Sequence, residues 1–132
     1  MLDLTAEGRV SHVLTKLGEA LAGGDLDRAV ALFHDECYWR DLVAFTWNIK
    51  TVEGKDAVRS MLKAQLPAVK PSAWTVDSAA GITDEGGVTT GWFTFETDVA
   101  RGYGLVRVKD GKIWTLLTTA VELKGHEEPT GH

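Results

Sequence analysis

The stretch LFHDECYWRDLVAFTWNIKTVEGKDAVRSML, from Leu32 to Leu62, decides how this chain folds. A helix is expected to end near His34, and a short strand near Cys37–Leu42 then carries Trp39 and Asp41. An aromatic loop passes Phe45 and Trp47 before Gly54 opens another helix. Side chains alternate across a strand, so Cys37, Trp39 and Asp41 share one face, and Tyr38, Arg40 and Leu42 the other. Arg40 therefore cannot simply pair with its neighbour Asp41. An acid enclosed by indole rings has its charged form disfavoured, which suits a small-molecule pocket with one ionisable group at its base. The same residues also fit an ordinary core whose aspartate caps a loop or faces water.

On the N-terminal side, Val10, Val13, Leu14, Leu17 and Leu21 recur at helical spacing until Gly23-Gly24. Asp25 can cap a second helix, whose buried side is Leu26, Ala29, Val30 and Phe33. On the C-terminal side, Val58, Met61, Leu62 and Leu66 mark a third helix, which Pro67 is expected to end. From Trp74 the apolar period changes from 3.6 to 2. Four strands are expected, at Trp74–Ala80, Val88–Thr97, Tyr103–Lys109 and Lys112–Leu123. Asp84-Glu85-Gly86-Gly87 makes a turn between the first two, Val99–Gly102 closes the middle hairpin, and Asp110-Gly111 is the strongest hairpin signal. Three helices followed by such a meander predict an α+β domain, with the helices on one face of a curved, mainly antiparallel sheet. The domain is expected over residues 1–123, with 124–132 as a tail or linker.

The 132 residues suit one domain with a real core. A hydrophobic share of 44%, a charged share of 25% and a net charge of −5 are ordinary for a globular protein. No basic run supports nucleic-acid binding, and no segment reads as a signal peptide or a membrane span. Cys37 is the single cysteine, so an internal disulfide is excluded and a reducing, cytoplasmic setting is expected.

The Gly24-Asp25-Leu26-Asp27 opening of the second helix, its Leu32-Phe33-His34-Asp35-Glu36 end, and Glu53-Gly54-Lys55-Asp56-Ala57-Val58 at the third together carry a family resemblance. Over roughly residues 5–123 the chain resembles a nuclear-transport-factor-2-like domain, the superfamily of SnoaL-like polyketide cyclases, ketosteroid isomerase and scytalone dehydratase. That resemblance implies a cone-shaped fold with a central pocket. A narrower likeness lies in Tyr38-Trp39-Arg40-Asp41-Leu42-Val43-Ala44-Phe45-Thr46-Trp47-Asn48 and Glu122-Leu123-Lys124-Gly125-His126-Glu127-Glu128. These resemble the N-terminal accessory domain of bacterial and fungal flavin-containing monooxygenases, which precedes a module binding FAD and NADPH. The chain has no GxGxxG fingerprint, so it is not expected to bind FAD in the Rossmann manner, and no cofactor is expected.

By the same resemblance Asp41 falls where ketosteroid isomerase keeps its general base. The isomerase also needs two donors for the enolate oxygen, and the matching positions are Leu17 and Gly104, neither of which can donate from a side chain. Isomerisation by that route is not expected. Ligand contacts are expected from Tyr38, Trp39, Phe45, Trp47, Trp92, Glu96 and Trp114, although most tryptophans, Trp74 among the five, simply fill cores. On Trp92–Thr97 one face carries Trp92, Thr94 and Glu96 and the other Phe93, Phe95 and Thr97, and either could line the cone. His12, His34, His126 and His132 show no ligand spacing with an acid alongside, so no metal is expected. Cys37 reads as a small buried hydrophobe.

Two functions fit. One is a dimerising, small-molecule-accommodating domain, in which a second copy covers the apolar outer sheet face. The other is a cofactor-free enzyme of isomerase, cyclase, dehydratase or epoxide-hydrolase type, with Asp41 as general acid or base on a small hydrophobic substrate. A pure protein-interaction domain is a third, weaker reading.

Overall fold

The computed structural model describes residues 5–42, 44 and 49–123. Phe45 and Trp47 lie outside the described residues, as does the tail. The first helix, α1, spans Ala6–Ala22; Thr5 caps it, its side chain accepting from the Gly8 N–H at 3.0 Å. The expected apolar face is buried throughout, from Val10 to Leu21. Helix α2, Leu26–Ala31, is capped as expected by Asp25, which accepts from the Arg28 N–H at 3.0 Å. Six residues are too few to hold a helix alone, so α2 depends on its packing against α1 and the third helix.

The helix expected to reach His34 stops earlier, because Phe33 already begins β1, Phe33–Leu42. Ile113 donates its N–H to the Leu32 carbonyl at 2.8 Å and draws Phe33 into the sheet. Part of the region expected as aromatic loop is a strand, β2, Ile49–Glu53, antiparallel to β1 with Val52 opposite Trp39. Helix α3, Gly54–Val69, runs through Pro67 rather than ending there. Pro67 is exposed in the last turn, where it removes a single backbone bond, and continuing the helix buries Val69. Lys70, at φ 49°, then caps it in the left-handed region.

The second half supplies β3 (Ser72–Val76), β4 (Ile82–Glu85), β5 (Val88–Glu96), β6 (Ala100–Lys109) and β7 (Lys112–Leu123). The strand expected to reach Ala80 stops at Val76, because Ser78–Ala80 forms a 3-10 turn and β4 doubles back onto β5. The middle hairpin closes earlier than Val99–Gly102. Thr97 N–H donates to the Ala100 carbonyl at 2.8 Å and Thr97 Oγ1 accepts the Ala100 N–H at 3.0 Å, so the strand resumes at Ala100. Asp110 and Gly111 both take positive φ, 55° and 73°, as a two-residue hairpin turn demands.

Among the described residues the sheet runs β2-β1-β7-β6-β5-β3, with β4 also on β5. Its pairings are antiparallel except β1 with β7, which is parallel. Helices α1 and α3 cover one face, giving the expected α+β architecture of helices on a curved sheet.

The open question of β5 is answered by burial: Phe93 and Phe95 face the helices, and Trp92, Thr94 and Glu96 the opposite side. Across from them, β6 places Gly104 and Gly102. A Cβ at Gly102 would land on the Phe95 ring, and one at Gly104 on the Phe93 ring and the Leu117 carbonyl oxygen. Trp74 stacks on Phe95 with centroids 5.0 Å apart, and a Cβ at Gly18 would come within 2.7 Å of its Cδ1. Three glycines thus make room for three aromatic rings, which fill this part of the space between α1 and the sheet.

Candidate functional site

Strand β1 delivers Trp39 and Asp41 to the helix-covered face, as the alternation of its side chains requires. Both are fully buried. The parallel pairing with β7 sets Thr118 directly beside Asp41, and Thr118 is fully buried too. Trp39 Nε1 donates to Thr118 Oγ1 at 2.8 Å, and Thr118 Oγ1 donates to Asp41 Oδ1 at 2.7 Å. The result is a short chain of hydrogen bonds that ends on a carboxylate. Such a group is costly to bury without partners, and these bonds supply them. Phe33 stacks on Trp39 at 5.9 Å, and the strand ends immediately after Asp41 at Leu42, where Leu42 and Ala44 are half-buried.

The positions that would carry the isomerase donors are plainly unsuited. Leu17 is buried in the apolar face of α1. Gly104 pairs with Thr118 across β6 and β7, and the Phe93 ring occupies the space a side chain would need.

The other expected ligand residues separate. Tyr38 lies on the opposite face of β1, half-buried, and its hydroxyl donates to Glu36 Oε1 at 3.0 Å. That bond to a carboxylate pushes the Tyr38 phenol up from its ordinary range. Trp92 stacks on Tyr103 at 5.4 Å, and the Tyr103 hydroxyl donates to Asp77 Oδ2 at 2.8 Å, which raises the Tyr103 phenol likewise. Glu96 lines a surface groove of about 370 Å³ with Tyr103, Arg101 and Val121. Trp114 lies beneath the Lys109 ammonium, 5.4 Å from the ring centroid. Trp39 and Asp41 alone of the described candidates meet inside the fold. A second groove, about 340 Å³, runs outside Trp74 between α1 and β3, lined by Leu14, Gly18, Pro71 and Trp74.

Thr118 escaped the sequence reading. Its one signal is a hydroxyl among apolar residues on the inward side of Lys112–Leu123, after Ile113 and Leu116. Cys37, next to Trp39 on the buried face, is held up from its ordinary thiol range by burial. Among the described residues no group of three His, Cys, Asp or Glu side chains could hold a metal ion. No described helix is long and apolar enough to cross a membrane.

Residues 14–116 match the sequence model of the SnoaL-like domain. The chain belongs to the SnoaL-like domain family. No curated protein matches it in sequence. Solved structures share the fold at low identity. A polyketide cyclase candidate from Xanthomonas campestris pv. campestris is 16% identical at TM-score 0.65, with 89% of this chain and 93% of that one covered. RV0760c from Mycobacterium tuberculosis, in complex with estradiol-17β-hemisuccinate, is 13% identical at TM-score 0.58, covering 83% and 92%. The orange carotenoid protein of Anabaena, binding canthaxanthin, is 12% identical at TM-score 0.64, and there this chain's 83% corresponds to 36% of that protein.

Proposed function

We propose that this SnoaL-like domain accommodates a small hydrophobic ligand, with Asp41 as its ionisable contact. The observation that supports the reading best is Asp41 itself, a fully buried carboxylate at a strand end, approached by Thr118 and Trp39. Steroid and carotenoid complexes of distant relatives agree with a ligand of that character. Titration with planar apolar compounds from naphthalene to steroid size, followed by tryptophan fluorescence and thermal shift, tests it. Saturable binding in the micromolar range is expected, weakened by Asp41→Asn for compounds that carry a polar group. If no compound gives a saturable change up to its solubility limit, the reading fails.

The same buried acid favours a second reading, a cofactor-free enzyme with Asp41 as general acid or base. Unchanged turnover of an identified substrate by Asp41→Asn would remove it. Phe45 and Trp47, next along the chain, belong to either site as proposed ligand contacts. Tyr38, Trp92 and Trp114, half-buried and away from Asp41, better fit a dimer in which a second copy covers the sheet. Sedimentation as a stable monomer at micromolar concentration would count against that. An accessory role beside a flavin-containing monooxygenase is supported by the sequence resemblance alone.

A further inference from the structure

The C-terminal ends of α1 and α3 meet over a third groove, about 520 Å³, lined by Leu21, Ala22, Leu66, Pro67, Lys70 and Pro71. None of its lining side chains is aromatic or acidic, and Lys70 supplies the one charge among them. Leu21 and Pro71 are buried, Leu66 is half-buried and Lys70 is exposed, so an ammonium stands at the rim of an aliphatic floor. Lys63 precedes Lys70 by two helical turns and lies on the same face of α3. Among the described residues neither ammonium is paired with a carboxylate. Lys70 holds φ 49°, a conformation that glycine takes without strain at a helix end. Here that strained position carries a cation. The dipoles of two helix C-termini oppose an anion, but the Glu19, Ala20 and Leu21 carbonyls already accept from Gly23, Asp25 and Gly24, and the Leu66 carbonyl from Lys70 itself. Against what remains of those dipoles, Lys70 sets a full charge on a flexible stem. The groove shares Ala22 and Pro71 with the one outside Trp74, so an aliphatic chain can run on from one into the other.

We propose that this groove binds a free fatty carboxylate, its head on the Lys70 ammonium and its alkyl chain along Leu21, Leu66 and Pro71 toward Trp74. The site shares no lining residue with the Asp41 network and stands independently of the ligand reading above. Charge complementarity selects the head group, because a carboxylate is the partner an ammonium lacks here. The walls select the tail. Leucine, alanine and proline side chains make dispersion contacts along an alkyl chain, and the groove offers no ring for a flat ligand to stack on. Its volume lies within the ~300–1,000 Å³ of small-molecule sites.

The test is calorimetric titration of the full chain with octanoate, decanoate and dodecanoate, each below its micellar concentration. Saturable binding is expected to tighten roughly twofold per methylene, short of the about fourfold for a fully buried one, because the groove is open to solvent. Decyltrimethylammonium, with a like chain and the opposite charge, should bind about fivefold or more weakly than the carboxylate, since attraction becomes repulsion. Lys70→Gly suits the backbone and removes the charge, and should weaken decanoate about two- to fivefold, the scale of an exposed ion pair. Lys70→Arg should retain the binding. Ala22→Phe, at an exposed helix end, fills the groove and should abolish it. Decanoate binding that neither Lys70→Gly nor Ala22→Phe changes overturns the proposal. Equal binding of decyltrimethylammonium, affinity independent of chain length, or no saturable binding overturns it as well. Capture by phosphatidylglycerol vesicles without any response to monomeric decanoate overturns the free acid as the occupant.

Discussion

Replacing Gly104 by alanine puts the account of the filled interior at risk in one step. Its new Cβ would land on the Leu117 carbonyl oxygen and on Cζ of Phe93, with Phe93 Cε1 at 2.8 Å. One of these obstacles is backbone in a paired strand, so no rotamer change relieves it. Overpacking of a full core costs typically about 1–3 kcal/mol. A Gly→Ala change elsewhere returns about 0.4–1 kcal/mol by restricting the unfolded chain. The backbone clash places Gly104→Ala at the upper end, for a net loss of about 2–3 kcal/mol, a large part of the ~5–15 kcal/mol of a small domain. Gly91→Ala is the control. There the nearest atoms to the added Cβ are side-chain methyls of Ile82 and Val10, at 3.0–3.1 Å, and the expected change is within about 1 kcal/mol. The three nearest atoms to a Cβ at Gly102 all belong to the Phe95 ring, so Phe95→Leu should recover most of the Gly102→Ala loss, whereas Phe93→Leu should recover Gly104→Ala only in part. Urea unfolding followed by far-UV circular dichroism measures all of these. A Gly104→Ala protein within about 1 kcal/mol of wild type would refute the claim that β6 is kept bare for the aromatic rings.

Asp25→Ala removes the side-chain acceptor at the start of α2 and should cost about 1 kcal/mol in the same assay. Cys37 should react slowly with a disulfide reagent at pH 8 and rapidly once the chain is unfolded, since burial both hides the thiol and holds its ionisation up. Because that folded value lies above the unfolded one, the thiol's contribution to stability is present below the unfolded thiol range and is lost as pH rises through the folded value. Cys37→Ala should therefore show a shallower loss of stability on the alkaline side than wild type, measured by denaturation between pH 8 and 10.

How much of this was legible in the sequence depends on the range over which each feature is encoded. The Asp25 cap, the Asp110-Gly111 turn and the common face of Cys37, Trp39 and Asp41 are set by a few neighbouring residues, and they lie where local chemistry puts them. The parallel pairing of β1 with β7 joins residues about 77 positions apart, and no local period announces it. Thr118 was invisible for that reason. The faces of β5 could not be told apart because each carries aromatic rings; burial chose Phe93 and Phe95 only because Gly102 and Gly104 stand opposite them. Trp92 and Glu96 consequently fell on the outer face. Val99–Gly102 and Pro67 were misread through single residues, where a Thr97 hydroxyl and the burial of Val69 prevailed.

Whether Asp41 serves a ligand or merely the fold can be argued from what its neutral twin should do. A carboxylate in an apolar interior loses its hydration, and its bonds restore that loss incompletely. Asp41→Asn keeps the shape, and its side-chain carbonyl can still accept the Thr118 proton, so the bond at Oδ1 survives without the charge. If the acid is kept for function, the amide should be at least as stable as wild type at neutral pH, while binding of compounds that carry a polar group is weakened. That combination is the mark of a residue retained against the interest of stability. If the fold itself depends on the charge, the amide should lose about 2 kcal/mol or more in urea unfolding, as expected when a buried ionic contact is broken. Either result separates the two roles, because the shape is kept while the charge is removed and one acceptor oxygen is exchanged for an amide donor.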